Sequence, residues 1–324
     1  MLQYRYRAGG PPTRQTRRHG DADQAWTDYV PAIDRPVLRW PDNARVALWI
    51  CPNILSYEYM APADPWLDMW TRMPQPDVLA YGRQDYGNRV GFWRMLEVLD
   101  AHNVRCTACV NVEALERHPE ICKAAVARDW RYLGHGISNS RFIYGLSEAE
   151  ERAYYEDMRR RLHALTGVTL QGMGGPGPQS ATESTPDVLA ALGFRYHADW
   201  FHDDQPFPLR VREGRLISLP YALEINDAPF LGAAFDADEF AEAARRQFDR
   251  LWVEGADSAR VMCLSLHPAL IGQPQRVRYL DEMLAYMLSR PGVWQATGDE
   301  IADHYYASHF EAVQRWLDAR RATT

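Results

Sequence analysis

Short apolar runs alternate with stretches of helical spacing along most of this chain. Arg45–Cys51 is a continuous apolar run closed by Pro52-Asn53, which has the length and character of a buried strand. Arg105–Val112 is a second such run, and Trp130–Leu133 a third, leading into Gly134-His135-Gly136-Ile137-Ser138-Asn139-Ser140. A short strand precedes Gly172, and Tyr196–Trp200, Leu216–Leu219, Val261–Leu266 and Trp294–Thr297 continue the series. Between them, apolar residues at Phe92, Trp93, Leu96, Val98 and Leu99 predict a helix over Val90–His102. Glu113–Asp129 reads as a helix broken near Pro119, and Ser147 with Glu150 forms a capping-box pair opening a long helix to about Thr166. Thr185 as N-cap with Pro186 at the first helical position opens another, ended by Gly193. Ala237–Glu254, Gln275–Ser289 and a closing Gly298–Leu317 complete the helices.

This alternation predicts a parallel sheet or barrel. With no internal repeat and no linker, the expected organisation is a partly irregular arm over residues 1–40 and one barrel with a C-terminal helix over 41–324. Residues 1–24 are rich in Gly, Pro, Arg and Gln, and 25–44 read as an extended lead-in. Residues 60–88 carry Pro, Trp and Tyr without a helical period, and so read as a long functional or interaction loop. Pro65–Trp70 looks like interface or lid material, so a homo-oligomer, dimer or tetramer, is expected.

Composition narrows the function. The 324 residues are 46% hydrophobic, enough for one large core, and the net charge of −7 argues against nucleic acid or an acidic membrane as a general partner. The five cysteines are odd in number and sit mostly inside apolar runs, as buried free thiols in a reducing compartment do. Cys106 and Cys109 have redox-motif spacing but lie in a strand-like run rather than at a helix start. No apolar run reaches the ~18–20 residues needed to span a bilayer. The basic N-terminus lacks the apolar core of a secretory signal, so a cytoplasmic location is expected.

The chemistry collects at strand ends. His267 ends the run Met262–Leu266, and Pro268 stops the ladder beyond it. In parallel α/β folds, reactive residues gather past the carboxyl ends of strands. The ends at Asn53, His135–Asn139, Leu216–Asp227 and His267 are expected to converge on one pocket that hydrolyses a C–N bond. Glu224 is the first candidate for the base: set among Tyr221, Leu223 and Ile225, it would be half-buried and its pKa raised. A salt-bridged carboxylate ordering its loop is the alternative. Asp227 competes for the role or contacts the substrate, unless Asn226-Asp227 only makes a turn. His267 is the candidate acid or oxyanion donor, or else a hydrogen-bonded core histidine. His135, between two glycines that permit close approach, is a candidate for the substrate carbonyl. Asn53 and Asn139 are amides suited to a cyclic –NH–CO– edge, or turn-formers. Arg89 pairs with a substrate carboxylate or holds its loop through Asp85. Trp200 and Tyr221 would supply flat walls for a planar ring. Gly174–Pro178 is not a phosphate cradle, since its prolines remove the N–H donors.

Five segments together resemble the polysaccharide deacetylase (NodB-homology) superfamily, and within it the cytoplasmic branch of metal-independent allantoinases and cyclic-imide hydrolases. They are Tyr86–Arg94, Gly134-His135-Gly136, Asp203-Asp204-Gln205-Pro206, Pro220–Asp227 and Leu266-His267-Pro268. The resemblance implies an irregular (β/α)7 barrel. In metal-dependent members it implies an ion held by an Asp after the first strand and two His spaced i, i+4 after the third, with a second Asp as base and a late His as acid. Here Asn53 stands at the Asp position and Asn139 at the second His. Amides are poor zinc ligands, so no cofactor is expected. A zinc site rebuilt from His135, His267 and Glu58 or Glu224 is the alternative. The reading is a hydrolase of a small cyclic amide (an imide, a hydantoin or an allantoin-like ureide). A metal-dependent N-deacetylase of an acetylated sugar or amine, and a non-catalytic binding scaffold, are its rivals.

Overall fold

Nine strands and eleven α-helices are recognisable among the described residues of the computed structural model, which are 26–60, 76, 78–175, 181–232 and 236–322. The central strand is β1 (Val46–Ile54), buried at all nine positions, as a strand covered on both faces requires. On one side it pairs with β8 (Arg260–Leu266) in register from Val46↔Arg260 to Pro52↔Leu266. On the other, its upper end meets β2 (Thr107–Val110) and its lower end β9 (Val293–Gln295). From β2 the sheet continues through β3 (Arg131–Gly134), β4 (Gly172–Met173), β5 (Tyr196–His197) and β7 (Leu216–Ser218). All these pairs are parallel, giving seven strands from β7 to β8. The gap between β7 and β8 is spanned by a bridge from Asn226 to Ser265. The sheet is therefore the curled, incompletely closed barrel of the NodB type, the irregular (β/α)7 form expected.

The helices cover the sheet as their apolar stripes dictate. They include α2 (Phe92–Ala101), α3 (Val112–Arg117), α4 (Pro119–Val126), α5 (Glu148–Thr166), α6 (Thr185–Ala191), α8 (Ala237–Glu254) and α9 (Val277–Leu288). The Ser147–Glu150 capping box is present, and Gly167 ends α5 at φ 73°. The break at Pro119 also lies where the sequence places it.

Several elements differ from expectation. Residues 78–86, read as loop, form helix α1 (Val78–Tyr86). Its Val78 and Leu79 are exposed, so no apolar stripe marks it in the sequence. A short edge strand, β6 (Phe207–Leu209), runs antiparallel to β7, and its central proline hides it. Thr185 does not cap α6: Ser184 holds the cap position, while the Thr185 hydroxyl donates to buried Glu151. The closing helix is two helices, α10 (Gly298–Ser308) and α11 (Phe310–Arg321), parted where His309 leaves helical geometry and its imidazole engages Arg39 O at 2.8 Å. The arm at 1–24, Pro65–Trp70 and the end of the Gly174–Pro178 loop lie outside the described residues. The five cysteines are free and buried. Among the described residues no helix is long and apolar enough to cross a membrane.

Candidate active site

The mouth of the barrel is built at the carboxyl ends of β1, β2, β3, β5 and β8. Strand alternation turns Cys51 and Asn53 to the same face of β1. Asn53 is buried, and its amide donates to Ser265 Oγ at 2.9 Å and to Leu266 O at 3.2 Å. Tyr221 Oη donates to Asn53 Oδ1 at 3.1 Å and lies 2.7 Å from Ser265 Oγ. With the tyrosine proton directed to Asn53, the serine must donate to the tyrosine oxygen, so three side chains close a ring of hydrogen bonds. Such rings are mutually reinforcing where water is excluded. Asn53 therefore does not present a free amide edge to a ligand, as the sequence suggests: its amide hydrogens and oxygen are taken up in joining β1 to β8 and Tyr221. The ring of Tyr221 lies edge-on to Trp49, centroids 5.8 Å apart, and edge-on to Phe201 at 6.0 Å.

One strand along, the end of β8 carries His267. Asp227, the first residue of the short helix α7 (Asp227–Gly232), is fully buried behind it. Its carboxylate accepts the His267 backbone N–H at 2.8 and 2.9 Å and lies 2.6 Å from His267 Nδ1. A carboxylate can only accept, so Nδ1 carries the proton and Nε2 is left with its lone pair. Asp227 thus sits behind the imidazole rather than lining the pocket as a substrate contact.

The third strand end carries His135, lifted beyond β3 by Gly136, whose φ of 79° is open to glycine at little cost. Asn111, buried at the end of β2, steadies both flanking loops: its oxygen accepts Ser56 N–H at 2.9 Å and its amide donates to His135 O. Burial pushes the His135 imidazole down to about 4, against the pull of Asp199 and with the help of the His267 charge. Hydrogen bonds to the Asn139 side chain and the Gly174 backbone hold the ring. Asn139, four residues on, also donates to Tyr57 Oη. It therefore serves His135 and the loop after β1.

Asp199, just beyond β5, drew no attention in the sequence. It accepts Gly175 N–H at 2.7 and 2.9 Å. Trp200 Nε1 donates to His197 Nδ1 at 3.1 Å, so His197 must carry its proton on Nε2, which faces Asp199 at 3.0 Å. Its only sequence signal was a carboxylate at a strand end next to an aromatic residue. Phe201 follows at φ 45°, a strained backbone for an aromatic residue.

Two candidates lie away from this group. Glu224 is exposed, so the partial burial expected to raise its carboxyl is absent: the chain after β7 turns Ala222 and Ile225 inward and Glu224 out. Arg89 has a side chain 73% exposed and pairs with Asp85 at 2.5 Å, as the loop-holding role requires. Asp203, from the Asp203–Pro206 motif, pairs with Arg35 at 2.5 Å, and Gln205 bonds Ala259 O and Ser258 Oγ. That motif builds the barrel wall.

The donor set does not suit zinc. The three positions that the resemblance assigns to a metal hold Asn53, His135 and Asn139, and the Asn53 amide is already bonded. The rebuilt alternative is not assembled either. Glu58 is bound to Arg141 at 2.7 Å and to Ser140 at 2.8 Å. Burial works to raise its carboxyl, yet those two bonds leave it lowered. Glu224 faces solvent. Among the described residues no three His, Cys, Asp or Glu side chains come together as a metal site.

Fold and mouth together define the class: a NodB-type barrel with a histidine–carboxylate pair at the end of its last inner strand. The polysaccharide deacetylase family model matches residues 79–197. A Schizosaccharomyces pombe protein described as a putative polysaccharide deacetylase is 27% identical over 302 residues, covering 83% of this chain and 93% of its own. Among solved structures, a probable polysaccharide deacetylase from Pseudomonas aeruginosa PAO1 superposes with a TM-score of 0.74 at 27% identity, over 85% of this chain and 95% of that one. A structure named Puue allantoinase also gives 0.74, at 26% identity, over 87% of this chain and 99% of its own. Residues 79–197 carry a polysaccharide deacetylase (NodB-homology) domain, and the chain is a hydrolase of the class acting on carbon–nitrogen bonds other than peptide bonds.

Proposed function

We propose that this hydrolase opens a small cyclic amide (an imide, a hydantoin or an allantoin-like ureide) and that His267 moves the proton. The observation that carries the reading is the buried Asp227 carboxylate against His267 Nδ1, which leaves Nε2 as an acceptor. Nε2 takes a proton from water as the water oxygen attacks the ring carbonyl carbon. Asp227 stabilises the imidazolium so formed, the arrangement that makes histidine an efficient base. His135, uncharged down to a pH of about 4, adds no second positive charge beside that imidazolium, and its ring stays fixed by Asn139 and Gly174. As the tetrahedral carbon collapses, His267 returns its proton to the departing ring nitrogen, and the product leaves as one open chain. A strained ring nitrogen leaves more readily than that of a plain acetamide. Such a substrate suits a site whose amides replace metal ligands. Trp200, Phe201 and Tyr221 supply apolar faces for a planar ring. The likeness to a protein named an allantoinase supports the same substrate class.

The test is a hydrolysis screen of succinimide, hydantoin, dihydrouracil, allantoin and N-acetylglucosamine, each with and without EDTA. The proposal expects turnover of at least one ring, undiminished by chelator. Turnover of the acetylated sugar alone, lost with EDTA and restored by Zn²⁺, would replace it with the N-deacetylase reading that the name of the Schizosaccharomyces pombe relative suggests.

A further inference from the structure

The segment Gly87–Gly91, prominent in the sequence and unused by the chemistry above, is a π turn set between α1 and α2. Widened helical turns of this kind are rare and occur frequently at functional sites. This one lies against the chain that follows His267. A Cβ on Gly91 would stand 2.0 Å from Pro268 O, and a Cβ on Gly87 2.7 Å from Ala269 N. Neither position admits a side chain while the two backbones stay where they are. Gly272 approaches in turn, its own Cβ position 2.4 Å from Gly91 O. Residues 268–272 are tied back to the histidine, because Leu270 N–H and Ile271 N–H donate to His267 O at 2.8 and 3.0 Å. Two side chains fix the turn from either side. Asn88, nearly buried, donates to Leu55 O at 3.0 Å, two residues past Asn53. Arg94 donates to Gly272 O at 3.2 Å. The π turn therefore touches the ends of both β1 and β8 at the mouth.

We infer that this π turn is the positioning element for His267. The Gly87 and Gly91 contacts set the height of the imidazole against Asp227 and the pocket, and Asn88 refers that height to the end of β1. Gly87, Asn88 and Gly91 act through His267 and touch no substrate. The inference rests on His267 as the proton carrier, and its test separates the two claims. Gly87→Ala is the main probe, because its added methyl meets a milder clash than one at Gly91. Asn88→Ala, which removes one hydrogen bond and adds nothing, decides by the same readouts if Gly87→Ala does not fold. His267→Ala is the control.

On the ring substrate turned over best, Gly87→Ala is expected to lower kcat on the order of 10- to 100-fold, with KM changed by less than about threefold, as a misplaced reacting group does. The pH limb of kcat is expected to move as well, because the imidazole shifts relative to the Asp227 carboxylate and to the nearby His135. Native kcat and a native pH profile in Gly87→Ala and Asn88→Ala, alongside an inactive His267→Ala, would overturn the positioning role. If His267→Ala keeps native turnover, it is the proton-carrier reading that fails. A crystal structure of Gly87→Ala then decides the positioning claim alone: an imidazole displaced from Asp227 supports it, and an unmoved one overturns it.

Discussion

The ends of β1 and β8 lie side by side at the barrel mouth, and each presents a polar side chain there, yet their surroundings differ in kind. At the end of β1, the Asn53 amide hydrogens and oxygen are bonded within the protein, to Ser265, Leu266 and Tyr221. At the end of β8, His267 has one nitrogen fixed by a buried carboxylate and the other without a partner among the described residues. The first arrangement is closed and can only hold strands together. The second is half-closed, and half-closed is what proton transfer requires: one atom held for geometry, one available for exchange. A polar residue at a strand end is thus informative only when its hydrogen-bond capacity is counted.

This contrast is breakable, starting where the effect is largest. His267→Ala and Asp227→Asn are expected to lower kcat/KM for the best ring substrate on the order of 10²- to 10⁴-fold, with circular dichroism unchanged for His267→Ala. Equal activity in either would remove the distinction between the two strand ends. Tyr221→Phe attacks the closed arrangement. Asn53 and Ser265 each lose a buried partner, so denaturant unfolding should show about 1–3 kcal/mol less stability, with kcat reduced far less than in His267→Ala. A stability change near zero would mean that the ring of hydrogen bonds holds nothing.

A subtler handle is pH. The His135 imidazole lies at about 4 in the fold against an ordinary 6.5, so the unfolded chain binds the extra proton first. Its contribution to stability is therefore intact above pH 6.5, declines as pH falls toward 4 and levels off below. His135→Gln should flatten that part of the stability curve in urea melts collected from pH 7 to 4, and an unchanged slope would show that His135 is not buried as described. The smallest expected effect is at Glu224. As an exposed carboxylate, its change to Gln should alter stability by less than about 0.5 kcal/mol and leave turnover near native, whereas a catalytic base would not survive it.

The architecture was legible wherever one face of an element is buried over its length. The seven parallel strands and the long helices α5, α8 and α9 announce themselves by period and caps. Elements that hide are those with nothing to repeat: α1 exposes its apolar residues, and β6 is three residues long with a proline at its centre. At the site, His267 could be singled out because Pro268 stops its strand directly after it, and His135 because glycines flank it. Asp227 was weighed and placed as a pocket contact, since only the fold reveals that α7 begins directly behind His267. Glu224 was favoured for its apolar neighbours in sequence, but a turn after β7 alternates them in and out in space. Asp199 was missed because its significance lies in Gly175, which reaches it from beyond β4, and in the proton that Trp200 fixes on His197, two residues before it. The π turn could not be read at all: its glycines matter for a backbone some 180 residues further along the chain, at Pro268–Gly272.

The central claim is that Asp227 holds the His267 proton on Nδ1 and leaves Nε2 to exchange with substrate. Long-range ¹⁵N–¹H correlation spectra of ¹⁵N-histidine-labelled protein, with His267 assigned by its Ala variant, report that tautomer directly. The account predicts the Nδ1–H form in the uncharged ring and its loss or weakening in Asp227→Asn. An Nε2–H ring, with Nδ1 unprotonated beside Asp227, would contradict it.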